Sequence, residues 1–353
     1  MKKLVLALGV LAAAVGISVL AMPGSGSADQ GGNSYSIGLW GDVPYSVHQQ
    51  TIGVPNLIAD MNAGHLAFTV HDGDLKQGSG SPCDDALYVR SEGYLNSLVA
   101  PAMYTPGDNE WTDCDRPNNG GYNSLERLDH IRSTMFDTPY SFGVHQMLQD
   151  VQAAPYVEDR RWEFGPVTYA TLNIPGSDNN LTDVDPDPAE YAARNTATIA
   201  WMRQAFDYAE THGSDALMLI MQANPGFDRF DAMRAPARNP QTLLADLQPP
   251  DPGAGNGYDE FLLALRAEVI GFAKPVVLVH GDSHYFRIDK PLLDRNGNRI
   301  EWLTRLETPG DNQGSGNTSN DVQWVKATVS PHNPDVFSFE QVIVAPNLQA
   351  YTP

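Results

Sequence analysis

The sequence predicts an α/β sandwich of mixed sheets, on three observations. Apolar segments of strand length alternate with segments of helical periodicity along most of the chain. The last part holds strand-like segments only, broken by Gly, Asn and Pro turns. Several of the apolar strands run straight into Gly- and Asp-rich clusters, and open α/β sheets bind ligands at such strand ends.

Taken in order, Tyr35 to Trp40 is a short apolar strand. Thr51 to Ala63 has helical spacing at Val54, Leu57, Ile58 and Met61. Leu66 to Val70 is a buried-type strand, Ala86 to Leu98 a helix, and Ala102 to Thr105 a short strand. Ser124 to Phe136 is helical, with Leu125, Leu128, Ile131 and Met135 on one side. Val167 to Ile174 is the next strand. Pro188 to His212 is the clearest helix, with Ile199, Met202, Phe206 and Ala209 on one face and Gly213 as its stop. Ala216 to Met221 and Val276 to Val279 are strands on either side of a helix from Tyr258 to Phe272. Strands at Arg287 to Asp289, Ile300 to Leu306, Gln323 to Val329 and Phe337 to Val344 complete the pattern. Pro175 to Pro188 and Gly226 to Gly257 are long Pro- and Asp-rich loops, of the kind that carry function in compact domains.

At 353 residues, 42% apolar and 18% charged, the chain is long enough to bury a core without staples. Its formal charge of -21 argues against a basic nucleic-acid groove and suits a site that concentrates divalent cations. Lys2-Lys3, the apolar run Leu4 to Leu20 and small residues near Ala21 and Ala28 have the pattern of a secretory signal. Residues 1–28 are therefore expected to be a removed signal peptide, 29–34 a linker and 35–353 the folded domain, with no membrane span left after processing. The destination is the cell exterior or the periplasm. In such a compartment Cys83 and Cys114 most simply form one disulfide; two free buried cysteines are the alternative.

Five strands end in polar clusters. They are Gly41-Asp42-Val43-Pro44-Tyr45, His71-Asp72-Gly73-Asp74-Leu75-Lys76-Gln77, Pro106-Gly107-Asp108-Asn109-Glu110-Trp111, Gln222-Ala223-Asn224-Pro225 and His280-Gly281-Asp282-Ser283-His284. Neighbouring strands lie about 4.8 Å apart, so five such ends can meet in one site. Carboxylates crowded together are costly unless a cation neutralises them, and divalent metal is the simplest resolution. Each motif alone is weak. Gly-Asp is a common turn, and Asp74 or Asp108 would equally serve as a helix cap.

In order and spacing these clusters resemble the calcineurin-like metallophosphoesterases, over about residues 35 to 290. That family carries an Asp-x-His, a Gly-Asp, a Gly-Asn-His-Asp/Glu, a later His and a final Gly-His-x-His. Gly73-Asp74 matches the second motif in full; the others match in part. The resemblance implies a four-layer αββα sandwich of two mixed sheets flanked by helices. It also implies Asp42 on a first metal and Asp74 bridging two. Asp108 stands in the place of the family's Asn ligand, and Asn109 in that of its catalytic His. Gln222 and Asp282 replace His ligands, while His284 keeps the last one. Pro44 stands where the first motif would supply a His. Oxygen-rich donors favour Mn²⁺, Mg²⁺ or Ca²⁺ over Zn²⁺ or Fe.

The implied function is hydrolysis of a small phosphoester by metal-activated water. With Asn109 in the acid position another proton donor is needed, and His71, His280 and Tyr45 are the candidates on neighbouring loops. The alternative is a metal-binding protein that kept this fold and lost catalysis; a carbohydrate-active protein with paired carboxylates is a third. Asp178-Asn179-Asn180 is expected to be a turn, with reach to the site as the other option. Asp294 to Asn298 is expected to form a hairpin at Asn296-Gly297, because the residues an EF-hand needs at Arg299 and Arg305 are absent. His48, His65, His130, His145, His212 and His332 have no ligand spacing.

Overall fold

A computed structural model of the chain describes residues 34–227, 238–245, 256–311 and 322–348. The expected signal peptide, most of the linker and residues 228–237 and 246–255 of the second long loop lie outside the described residues.

Two mixed sheets form the centre. The first has the strand order β12-β11-β1-β2-β3. Its strands are β1 (Tyr35–Trp40), β2 (Thr69–His71), β3 (Ala102–Tyr104), β11 (Trp324–Val329) and β12 (Phe337–Val342). β1, β2 and β3 run parallel, while β11 and β12 add antiparallel pairs. The second sheet has the order β4-β5-β6-β7-β8-β10-β9. Its parallel centre is β6 (Val167–Thr171), β7 (Ala216–Ile220), β8 (Val276–His280) and β10 (Leu303–Glu307). β4 (Asp150–Val151), β5 (Arg160–Phe164) and β9 (Arg287–Asp289) complete it with antiparallel pairs.

Alternating side chains sort each sheet into an inner and an outer face. Ile37, Leu39, Phe68, Val70 and Met103 of the first sheet meet Trp162, Tyr169, Met218, Ile220, Val277 and Val279 of the second in one buried cluster. On the outside of the first sheet pack α1 (Val54–Ala63), α2 (Asp85–Asn96) and α3 (Ser124–Thr134), through Leu57, Leu95 and Ile131. A short turn, α4 (Gly176–Asn180), precedes α5 (Pro188–Thr211), which covers the second sheet together with α6 (Asp259–Phe272) through Met202, Phe206, Leu262 and Leu265. The expected α/β architecture of two mixed sheets flanked by helices is therefore present.

Local chemistry sets the helix starts. Asp84 accepts from Leu87 N–H at 3.1 Å and Asn123 from Glu126 N–H at 2.9 Å. Asp187 accepts from Ala189 and Glu190 N–H, with Pro188 in the first turn. Neither Asp74 nor Asp108 caps a helix. Arg194 on α5 donates to Asn173 O, Asn179 Oδ1 and Asn179 O and pairs with Glu190, which ties α4 to α5.

Some elements differ from expectation. Helix entry at Thr51 is a π-helical turn, Gln49–Gly53. β2 starts later than Leu66 and includes His71. β5 is absent from the sequence pattern because Arg160 takes an inward position. Its guanidinium satisfies Phe136 O and Thr138 O, so a charged residue stands where alternation calls for an apolar one. The Asp294–Asn298 hairpin forms as expected, with Gly297 at positive φ and a bridge between Leu293 and Arg299. Cys83 and Cys114 are bonded, with Cα atoms 5.6 Å apart, which removes the free-thiol alternative. Among the described residues no helix is long and apolar enough to cross a membrane.

Buried carboxylates make this fold sensitive to pH. Burial, with Glu158 beside it, raises Asp159 to about 7; burial raises Glu307 to about 7 against the pull of Arg287. A folded pKa above the unfolded value gives stability that is full at low pH and lost as pH rises through the folded pKa. The metal-free chain is expected to melt at a lower temperature at pH 8 than at pH 5, with Asp159 contributing on the order of 2 kcal/mol. Asp159→Asn should flatten part of that slope in thermal unfolding. A melting temperature that rises from pH 5 to pH 8 would refute this account.

Candidate functional site

The parallel strands of both sheets deliver their carboxyl ends to one edge of the sandwich. β1, β2 and β3 lead to Asp42, Asp74 and Asp108; β7 and β8 lead to Gln222 and to Asp282 and His284. The loops are laced together by the backbone. Asp42 N–H donates to Gly73 O at 2.9 Å, Gly281 N–H to Gln222 O at 3.0 Å, and Asp282 N–H to the Asp42 carboxylate at 3.1 Å. Close approach requires glycine in these loops. A Cβ on Gly281 would lie 2.0 Å from Asp42 Oδ2, and one on Gly107 would lie 2.2 Å from Asp74 Oδ1.

Asp42, Asp74, Asp282 and His284 all have positive φ, between 53° and 73°. Side chains other than glycine avoid this region, and its repeated use here is strain held where strand ends turn into the site. Asp42 and Asp74 are fully buried, and Asp108 is 7% exposed. Tyr45 Oη stands between the first two, donating to Asp74 Oδ2 at 2.7 Å and lying 3.5 Å from Asp42 Oδ1. Asn109 Nδ2 donates to Asp74 Oδ2 at 2.6 Å and to Tyr45 Oη at 2.7 Å. His284 Nε2 is 3.3 Å from Asp42 Oδ1, and its ring is edge-on to Tyr45. Burial, reinforced by Asp108, Asp42 and Glu110, holds the Asp74 carboxyl well above the usual range.

Asp42, Asp74, Asp108, Asn109, Gln222, Asp282 and His284 are thus brought to one place. His71 and His280 are placed differently. His71 is buried under the Asp74 loop, accepts from Gly73 N–H at 3.1 Å through Nδ1, and is lowered by burial to about 4. It is neutral at ordinary pH and holds backbone. His280 is fully buried, with Nδ1 2.9 Å from Gly281 O.

Other residues in the site were not singled out from the sequence. Glu110 accepts from Gly107 N–H, Asp74 N–H, Leu75 N–H and Tyr104 Oη, so one carboxylate ties the second strand-end loop to the third. Four donors oppose burial, which still lifts it to about 7. Lys76 is buried, and its ammonium donates to Gln77 O. Ser177 on α4 donates to Asp113 Oδ1 at 2.7 Å and lies 3.3 Å from Asp108 Oδ2, so the Asp178 loop does reach the site through its neighbour. Ser177, Asp178, Asn179 and Asn180 are four successive left-handed residues. The disulfide lies beneath the third loop: Cys83 Sγ is 3.6 Å and Cys114 Sγ 3.9 Å from Asn109 O.

Oxygen donors dominate this end of the site. Asp42 and Asp74 are buried carboxylates bridged by the Tyr45 hydroxyl, with the His284 imidazole beside Asp42. As the side chains stand, no three His, Cys, Asp or Glu among the described residues close round a single point to hold an ion. Asp108 Oδ1 is a buried acceptor without a donor, and Gln222 Nε2 a buried donor without an acceptor.

No family profile matches the sequence, and no curated protein is detectably similar to it. Solved structures are similar in shape. One is GAP50, described as the anchor in the inner membrane complex of Plasmodium, with a TM-score of 0.50 at 9% identity over 90% of this chain and 87% of that one. Another is a dimetal phosphatase from Danio rerio, with a TM-score of 0.47 at 11% identity over 88% of this chain and 99% of that one. At such identity the likeness to GAP50 is one of fold alone.

Proposed function

We propose that this chain is an exported, metal-dependent phosphoester hydrolase acting on small molecules. The observation that carries this reading is the convergence of five strand ends, in the order of the metallophosphoesterase motifs, on buried Asp42, Asp74 and Asp108 with His284. Asp42, Asp74 and His284 would hold the cation, with Mn²⁺, Mg²⁺ or Ca²⁺ suited to the oxygen donors and Zn²⁺ or Fe less so. A divalent ion there would lower the pKa of a water and offset charge developing on the phosphoryl group. The Cys83–Cys114 bridge supports an oxidising destination, in keeping with residues 1–28 as a signal peptide and 35–353 as the domain.

The chain's own residues set the preference among substrates. The Asn109 amide orients Asp74 and Tyr45 and cannot release a proton to a leaving group. His71 and His280 are buried and engaged with backbone, so neither supports the role of proton donor. Leaving groups that depart unprotonated are favoured. The acidic surface keeps nucleic acid from the list of substrates.

The reading has measurable outcomes. With added Mn²⁺, mono- or bis-aryl phosphates should be cleaved at least tenfold faster than alkyl phosphates; equal rates would count against it. Asp74→Ala should lose both retained metal and activity, and a variant indistinguishable from the parent would show the site to be elsewhere. Metal retained by the parent without turnover of any phosphoester would favour the metal-binding protein that lost catalysis. Glu110→Gln keeps an acceptor for Gly107 N–H and should fold while losing metal affinity about tenfold. Glu110→Ala leaves buried donors unpaired and should cost roughly 3 kcal/mol in chemical denaturation. Wild-type stability in the alanine variant would remove Glu110 from this role.

A further inference from the structure

At the edge of the sandwich opposite the strand-end loops, where β8, β10 and β12 begin, the two sheets leave a cavity of about 270 Å³. Its walls come from their inner faces. Val277 of β8 and Phe337 and Phe339 of β12 belong to the apolar contact between the sheets, and the two phenyl rings are stacked with centroids 6.1 Å apart. Thr304 of β10 pairs with Val277 and takes the same inner face as Leu306, two residues on. A hydroxyl there breaks the apolar alternation, and no protein group among the described residues meets it.

The mouth of the cavity combines aromatic surface with charge. Trp302 lines it with 45% of its surface exposed, and no group among the described residues accepts from its indole N–H. Lys290 donates to Glu301 O at 2.6 Å and stands 3.9 Å from the Asp335 carboxylate, while the Glu301 carboxylate has no ion pair among the described residues. Two carboxylates and one ammonium restrict the charge of a ligand. A phosphate would meet Glu301 and Asp335, and an organic cation drawn to the aromatic rings would meet Lys290. A neutral ring bearing several hydroxyls answers every group. Its hydroxyls donate to the two carboxylates and accept from the ammonium and the indole N–H, and the Thr304 hydroxyl serves in either sense. Its C–H face covers the exposed face of Trp302, where the ring quadrupole is negative. Carbohydrates are the ligands with that chemistry.

We infer that this cavity binds one ring of a neutral carbohydrate, with Trp302 as the stacking platform and Thr304, Lys290, Glu301 and Asp335 as partners of its hydroxyls. The site is separate from the strand-end cluster and stands whether or not that cluster holds metal. The full chain is titrated with methyl glucoside, methyl galactoside, methyl mannoside and N-acetylglucosamine, with binding followed by saturation-transfer NMR. At least one should bind with a Kd on the order of 1 mM, as expected for a single small ring. Trp302→Ala removes an exposed side chain and should weaken that sugar at least tenfold, while Trp302→Phe keeps an aromatic face and should retain part of the affinity. Thr304→Val preserves the shape of the inner face and should weaken binding severalfold. Choline and inorganic phosphate should not displace the sugar. No sugar bound at about 50 mM, far above that Kd, would overturn the inference. Wild-type affinity in folded Trp302→Ala or Thr304→Val would overturn it too, because the sugar would then sit elsewhere. Displacement by choline or by phosphate would assign the cavity to a charged ligand and overturn it as well.

Discussion

Asp42, Asp74, Asp108 and Glu110 are four carboxylates with almost no contact with water, held at one edge of two packed sheets. Burying an ionised carboxylate is expensive unless something opposite or hydrogen-bonding meets it. The local structure is arranged around that cost. Glu110 is met by three backbone N–H groups and the Tyr104 hydroxyl. Asp74 is met by Asn109 and Tyr45, and Asp42 by the backbone of Asp282. The strained φ values at Asp42, Asp74 and Asp282 show the backbone giving way so that the side chains take these positions. Between Asp42 and Asp74 the hydroxyl of Tyr45 is the neutral group that keeps the two carboxylates apart.

The sandwich explains why such a cluster forms at all. Parallel strands all point the same way, so their outgoing loops share one edge, and the packing of Ile37, Leu39 and Val70 against Met218, Ile220 and Val279 brings the edges of both sheets together. The disulfide and Arg194 act one layer further out. The first sits under the carbonyl of Asn109, and the second anchors the left-handed turn whose Ser177 reaches Asp108. Neither touches the cluster's carboxylates; both limit how far the loops that carry them can move.

Much of this was legible in the residues alone. Strands ending in Asp clusters and helices of clear period are local signals, and each strand-end cluster reports on one short stretch of chain. The roles that escaped depend on what comes from elsewhere. Glu110 and Lys76 were both within motifs already recognised, but nothing in a motif says that Glu110 turns back onto Gly107 and Asp74. His71 has the sequence position of a proton donor and becomes a backbone support, because β2 extends to include it and buries its ring against Trp40. β5 was invisible since a buried Arg160, satisfied by two carbonyls, breaks the apolar alternation. The direction of the Gln222 amide is decided by Gly176, 46 residues away in sequence.

The departures from the metallophosphoesterase pattern form a consistent set when charge is followed across the site. An imidazole ligand is neutral, so a centre rich in histidine depends on its metals for positive charge. On the proposed reading Asp108, Asp282 and Gln222 take three ligand positions of that pattern, and the added negative charge needs an answer from within the protein. Arg116 gives part of it, paired with Asp113 and Asp183. A permanent cation cannot activate water as a metal does, but it can hold an acidic loop in shape whether or not metal is present. Arg116 does this by joining the acidic loop of Asp113 to that of Asp183 with a charge that does not depend on a bound ion.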